Sequence, residues 1–142
     1  MRDEDSEAVI QHTIITGEKM SHEILARIAN GKLIHVTTLG RRTTKPHLVE
    51  LWFAVNRGRV YLSHEGEETD WMKNIKKHGD VSFEIGGRNF TGTARLLENN
   101  TEEAWEGKVA LYEKYYGKAL KETIEDWFSL SKLVLIELHP AK

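Results

Sequence analysis

Residues 33–64 read LIHVTTLGRRTTKPHLVELWFAVNRGRVYLSH, two alternating apolar runs divided by a basic loop, with a tight turn and a third run behind them. Ile34 and Val36 precede the loop, and Val49, Leu51, Phe53 and Val55 follow it, so each run is expected to be a strand that buries one face. The first strand is expected over about Leu33–Leu39 and the second over about Leu48–Val55. Asn56-Arg57-Gly58 then turns the chain into a third, Arg59–His64. Short turns between consecutive strands make an antiparallel meander, and this sets the frame of the fold.

Beyond it, the acidic loop Glu65-Gly66-Glu67-Glu68 leads into a short helix over about Asp70–His78, with Thr69 as its cap and Gly79 as its stop. Its acidic start and its end at Lys76, Lys77 and His78 suit the helix dipole. Val81, Phe83 and Ile85 alternate as a fourth strand, Gly86-Gly87 reverses the chain, and Phe90–Leu97 forms a fifth, with Gly92 marking a bulge or bend. A longer helix is expected over Thr101–Leu120, burying Trp105, Val109, Tyr112, Tyr116 and Leu120 as one stripe, with Tyr115 off it. Leu133–Leu138 is almost continuously apolar, which marks a sixth strand covered on both sides. Antiparallel strands escape exposed edges by closing, so the expected fold is mainly β, a six-stranded antiparallel barrel with peripheral helices.

Upstream, Ser21 can cap a helix carrying Ile24, Leu25 and Ile28, with Gly31 left-handed just past its end. Residues 1–20 are acidic and weakly periodic, an N-terminal tail or loose helix, which leaves 21–142 as a single domain. A chain of 142 residues with 39% hydrophobic content has material for one core. Twenty basic against 22 acidic residues give a net charge of −2, so no global field draws nucleic acid or anionic lipid, and any anion site must be local. The absence of cysteine excludes disulfides, thiolate metal sites and a cysteine nucleophile, and agrees with a reducing compartment. No apolar run approaches the ~20 residues that cross a bilayer, and the polar start Arg2–Glu7 is unlike a signal peptide. No membrane insertion and a cytoplasmic location are therefore expected. The seven histidines show no metal-ligand spacing, and neither a serine-hydrolase elbow nor a dinucleotide or P-loop fingerprint is present.

The loop between the first two strands gathers Arg41, Arg42 and Lys45 with the hydroxyls of Thr37, Thr38, Thr43 and Thr44. Bidentate guanidinium donors, a mobile ammonium, hydroxyls and turn amides together suit a phosphate, although a solvated β-turn has the same composition. Trp71 and Asn74 share a helix face that either walls a ligand or packs in the core. Tyr112 and Tyr116 fit the buried stripe, while Tyr115 is left for a substrate, a subunit contact or plain exposure.

Taken together, the loop Thr37–His47, the strand Val49-Glu50-Leu51-Trp52-Phe53 and the segment Trp71-Met72-Lys73-Asn74-Ile75 resemble the deazaflavin-dependent nitroreductase family. That family lies within the flavin-binding split barrels related to pyridoxamine 5′-phosphate oxidase, and the resemblance covers Leu33–Leu138. It implies a split β-barrel of the FMN-binding type. It places the cofactor phosphate on Arg41, Arg42, Thr43, Lys45 and His47, flanks the cofactor with Ser63, His64 and Trp71, and turns Tyr112 and Tyr115 toward substrate. It also implies a homodimer with the ring system near the subunit interface.

Several positions depart from the family pattern or bear on the cofactor. Thr44 stands where the family has glycine, and His47 replaces a cation after Pro46. Glu65, Glu67 and Glu68 discourage a polyanionic cofactor tail, whereas Trp71 stands where many FMN-binding relatives carry lysine. Deazaflavin and FMN thus both remain open. The implied activity is hydride transfer from the reduced cofactor to a small electrophile such as a quinone, nitro compound or enone. The cofactor carries the reactive bond, no obligate catalytic acid is named, and solvent or Tyr115 supplies a proton. A non-catalytic flavin or haem carrier would use the same loop, and a nucleic-acid-binding barrel is disfavoured by the pI near 6.4.

Overall fold

The computed structural model describes residues 23–139, so the expectations for residues 1–20 and for Ser21 lie outside it. After a helical segment at 23–27 come β1 (Ile34–Leu39), β2 (Pro46–Leu51), β3 (Ala54–Asn56) and β4 (Arg59–Glu65), then helix α1 (Asp70–Lys77). Strands β5 (Asp80–Ile85) and β6 (Arg88–Leu97) follow, then helices α2 (Glu102–Tyr116) and α3 (Lys121–Trp127), and finally β7 (Ser131–Leu138). All seven strands form one antiparallel sheet in the order β2-β1-β5-β6-β7-β4-β3.

The two edges of that sheet are halves of one expected strand. The run Leu48–Val55 breaks at Trp52-Phe53, and its first half pairs with β1 while its second half pairs with β4. Two residues therefore carry the chain from one edge to the other, which wraps the sheet into a barrel with its seam at that corner. Seven strands replace the six expected, and the architecture is the antiparallel split barrel. The hairpin turns behave as their residues require. Arg57 and Gly58 have φ of 55° and 73°, and Gly86 and Gly87 have 56° and 83°, the paired positive values of a two-residue turn that matches strand twist.

The core has two parts. Val36, Leu62, Met72, Phe83, Val134 and Ile136 fill the barrel, and Tyr61, Leu111, Ile124, Phe128, Leu133 and Leu135 fill the layer between the sheet and helices α2 and α3. Strand β7 supplies both, which is why its sequence is apolar at nearly every position.

Two glycines, Gly92 and Gly31, depart from expectation, and Gly79 follows the end of α1 as expected but without a left-handed backbone. Gly92 marks no bulge, because β6 keeps continuous register with β5 and β7 through it. A Cβ there would lie 2.5 Å from the Glu137 carbonyl oxygen, so only glycine allows the two backbones to meet. Gly31 and Gly79 are not left-handed. A Cβ at Gly31 would crowd Ile85 at 3.2 Å, and one at Gly79 would crowd the Ala94 carbonyl at 3.1 Å.

Helix α2 departs most from expectation. It ends at Tyr116, Gly117 turns the chain with φ 88°, and α3 follows where no helix was expected. Its buried residues are Ala104, Gly107, Lys108 and Leu111, while Tyr116 is 49% and Leu120 72% exposed. Small residues decide the contact face, since a Cβ at Gly107 would stand 2.6 Å from the Tyr61 ring. The spacing 104, 108, 111, 115 then brings Tyr115 onto the packed stripe rather than off it. No helix among the described residues is long and apolar enough to cross a membrane.

Candidate functional site

The β1–β2 loop is closed by its own backbone and fastened to α1. Gly40 N–H donates to the Lys45 carbonyl and Thr44 N–H to the Gly40 carbonyl, both at 2.8 Å. Thr44 has φ 57°, so the position where the family has glycine does adopt the conformation glycine favours. A Cβ on Gly40 would fall 3.0 Å from His47 Nε2 and 3.1 Å from Thr43 Oγ1, which shows these two side chains closing over the bare backbone.

Asn74 anchors the loop. Its Oδ1 accepts from the Arg41 backbone N–H at 3.1 Å and from Arg41 Nη1 at 3.0 Å, and its Nδ2 donates to Thr38 Oγ1 at 3.2 Å. Arg41 Nη2 also pairs with Asp70 Oδ1 at 3.3 Å. Arg41 is thereby committed to α1, while Arg42, Thr43, Thr44, Lys45 and His47 remain exposed. Thr69 occupies the cap position of α1 but makes no capping bond, and its buried hydroxyl finds no partner among the described residues. The donor set fits a phosphate through its two exposed cations and loop hydroxyls, while the space over Gly40 is taken by Thr43 and His47.

Of the remaining expected cofactor residues, Ser63 lies at the other end of the hairpin from this loop, while Trp71 adjoins Asp70, the loop's partner on α1. Ser63 lines a cleft of about 470 Å³ with Leu33, Leu51, Trp52, Trp127 and Phe128. His64 is its neighbour on β4 and points to the opposite face, the side of Val60 and Leu62. Trp71 is 7% exposed and belongs to the barrel core. Register places Leu39 opposite Pro46 at the loop and Ile34 opposite Leu51 at the cleft. Five steps of about 3.4 Å separate those two levels, roughly 17 Å. The site residues therefore form two groups, a cationic one and an aromatic one, at opposite ends of the β1–β2 hairpin.

The aromatic end is larger than the sequence reading anticipated. Trp52 stacks on Tyr115 with ring centroids 4.2 Å apart and planes 13° from parallel. Tyr116 packs against Tyr112 at 5.1 Å and against Trp127 at 4.9 Å. Trp52, Tyr116 and Trp127 are each about half exposed. None of the three was among the expected site residues. Tyr112 is half-buried within this cluster. The Tyr115 hydroxyl faces inward onto backbone, and burial raises its pKa. That removes it as a ready proton donor.

A family model described as F420H(2)-dependent quinone reductase matches residues 11–125. Among solved structures, a conserved hypothetical protein from Mycobacterium tuberculosis is 22% identical with a TM-score of 0.68, covering 82% of this chain and 79% of its own. An F420-H2 dependent reductase is 23% identical with a TM-score of 0.56, over 75% of this chain and 94% of its own. A candidate pyridoxamine 5′-phosphate oxidase from Listeria innocua is 16% identical with a TM-score of 0.58, over 84% and 94%. These likenesses show the shared split-barrel fold. No curated protein matches.

Proposed function

The chain belongs to the F420H(2)-dependent quinone reductase family, an oxidoreductase family, and on that premise we propose that it reduces a quinone or a similarly flat, small electrophile such as a nitro compound or enone. The observation that carries this reading is the pinned β1–β2 loop, which offers Arg42, Lys45 and Thr43 outward while Arg41 is held by Asn74. In this reading Arg42 and Lys45 neutralise a cofactor phosphate, Thr43 and loop amides complete its oxygen shell, and Arg41 keeps the loop in shape. The family match favours deazaflavin over FMN.

Bound reduced deazaflavin supplies the hydride; the protein binds, orients and excludes water. Trp52, Trp127 and Leu51 form an apolar wall suited to a flat ring. Solvent rather than Tyr115 supplies the proton that completes reduction of a quinone to its hydroquinone. We further propose a cytoplasmic homodimer. Leu48, 69% exposed on edge strand β2, is the surface a second subunit would cover.

Anaerobic mixing of the protein with reduced deazaflavin and menadione tests the reading. Oxidation of the deazaflavin at least a hundredfold faster than without protein is expected. Bound deazaflavin with no acceleration would leave a carrier instead.

A further inference from the structure

The Phe53 peptide stands in the break between β2 and β3, where it has no ladder partner on a neighbouring strand. Helix α2 serves both of its polar groups. Phe53 N–H donates to Tyr115 Oη at 3.1 Å, and Lys114 Nζ donates to the Phe53 carbonyl at 2.9 Å while lying 3.4 Å over the Phe53 ring. Tyr115 Oη stands 2.9 Å from the Lys32 carbonyl and 3.0 Å from that of Phe53. A hydroxyl has one proton, and here both carbonyls lie within its reach, that of Phe53 also accepting from Lys114.

One side chain thus spans the segment that leads into β1 and the break between β2 and β3, at the residues next to the cleft. Lys32 precedes Leu33 and Phe53 follows Trp52, and both Leu33 and Trp52 line the aromatic cleft. Tyr115 also backs the Trp52 indole by stacking. An exposed indole at a strand break would otherwise exchange rotamers, at a conformational cost each time a ligand needed it fixed.

We propose that Tyr115 and Lys114 are positioning residues that hold Leu33 and Trp52 as a preformed wall for the electron acceptor, touching neither acceptor nor cofactor. This rests on the quinone reading above. Burial lowers the Lys114 amine to about 8, and it remains a donor to the Phe53 carbonyl in either protonation state. Glu106 and Glu113 share the neighbouring groove with Lys114, and its hydrogen bond goes to the carbonyl rather than to either of them.

Tyr115→Phe keeps the stacked ring and removes only the hydroxyl. Two measurements on the full chain decide the proposal: amide hydrogen exchange at Phe53, and equilibrium menadione binding without cofactor, followed by tryptophan quenching. In Tyr115→Phe, exchange at Phe53 is expected to quicken at least tenfold and menadione to bind at least fivefold more weakly. Deazaflavin affinity is expected to stay within twofold. Lys114→Met should weaken menadione binding in the same direction. Wild-type exchange at Phe53 in the variant, or freed exchange with menadione binding intact, overturns the positioning role alone. A wild-type protein that binds no menadione, either alone or with oxidised deazaflavin bound, overturns the quinone reading and this role with it.

Discussion

The carboxamide oxygen of Asn74 accepts from both the backbone and the guanidinium of Arg41, so one side chain on α1 sets the position of a loop 33 residues away in sequence. Asn74 is 2% exposed, and its amide also satisfies the buried hydroxyl of Thr38. Asn74→Ala would strand both partners. A loss of about 2–3 kcal/mol in urea unfolding is expected, together with weaker deazaflavin binding, because the loop loses its anchor before the ligand arrives. Full stability in the variant would show that water replaces the amide.

Thr44 holds a left-handed backbone that β-branched residues adopt at a cost. Thr44→Gly is expected to raise the unfolding free energy by about 1 kcal/mol, the strain relieved less the entropy of a freer unfolded chain. Thr44→Val should gain nothing. Thermal melts of the two variants side by side separate backbone strain from any role of the hydroxyl.

Gly107 lets α2 approach the sheet, with a Cβ there falling 2.6 Å from the Tyr61 ring and 3.0 Å from Leu133. Gly107→Ala should destabilise by about 1–3 kcal/mol through overpacking, despite the better helix propensity of alanine. A melting temperature at or above that of the wild type would mean that the helix shifts freely.

His35 bridges two carboxylates across three strands, Nε2 to Glu50 and Nδ1 to Glu84, both at 2.9 Å. Donation to Glu84 and then to Glu50 raises its pKa above the ordinary 6.5. The stabilisation is fully present below 6.5 and fades as pH rises through the raised value. Glu84 is lowered, chiefly by the Gly87 backbone N–H and then by His35, so its own contribution is lost only as pH falls below 4.5. Melting temperature should therefore decline from about pH 6 to pH 8 in the wild type, and His35→Gln should flatten that decline. Parallel profiles for the two proteins would show that the bridge contributes nothing.

Most of the barrel was legible because strand alternation and turn residues state their structure locally: Gly86-Gly87 and Arg57-Gly58 made their turns, and β7 announced its two buried faces. The break at Trp52-Phe53 was hidden, since apolar residues run through it and only sheet closure shows that the strand changes partners there. The face of α2 is legible in part: Trp105, Val109 and Tyr112 pack against the layer beneath the helix, but Tyr116 and Leu120 are exposed, and Ala104 and Gly107 make the closest approach by being small. Tyr115 falls on that close side, where large residues give no signal. At the site, the loop's cations could be read from residue type, but the commitment of Arg41 to Asn74 depends on a contact between distant segments. No local pattern records it.

The central claim is that the β1–β2 loop holds the phosphate end of the cofactor, and an equilibrium titration of deazaflavin into the wild type and into Arg42→Ala, Lys45→Ala and the double variant tests it directly. Each charged hydrogen bond lost should cost about 1–3 kcal/mol, so the double variant should bind at least tenfold more weakly, with the folded state intact because both side chains are exposed. Wild-type affinity in the double variant would contradict the account and place the phosphate elsewhere.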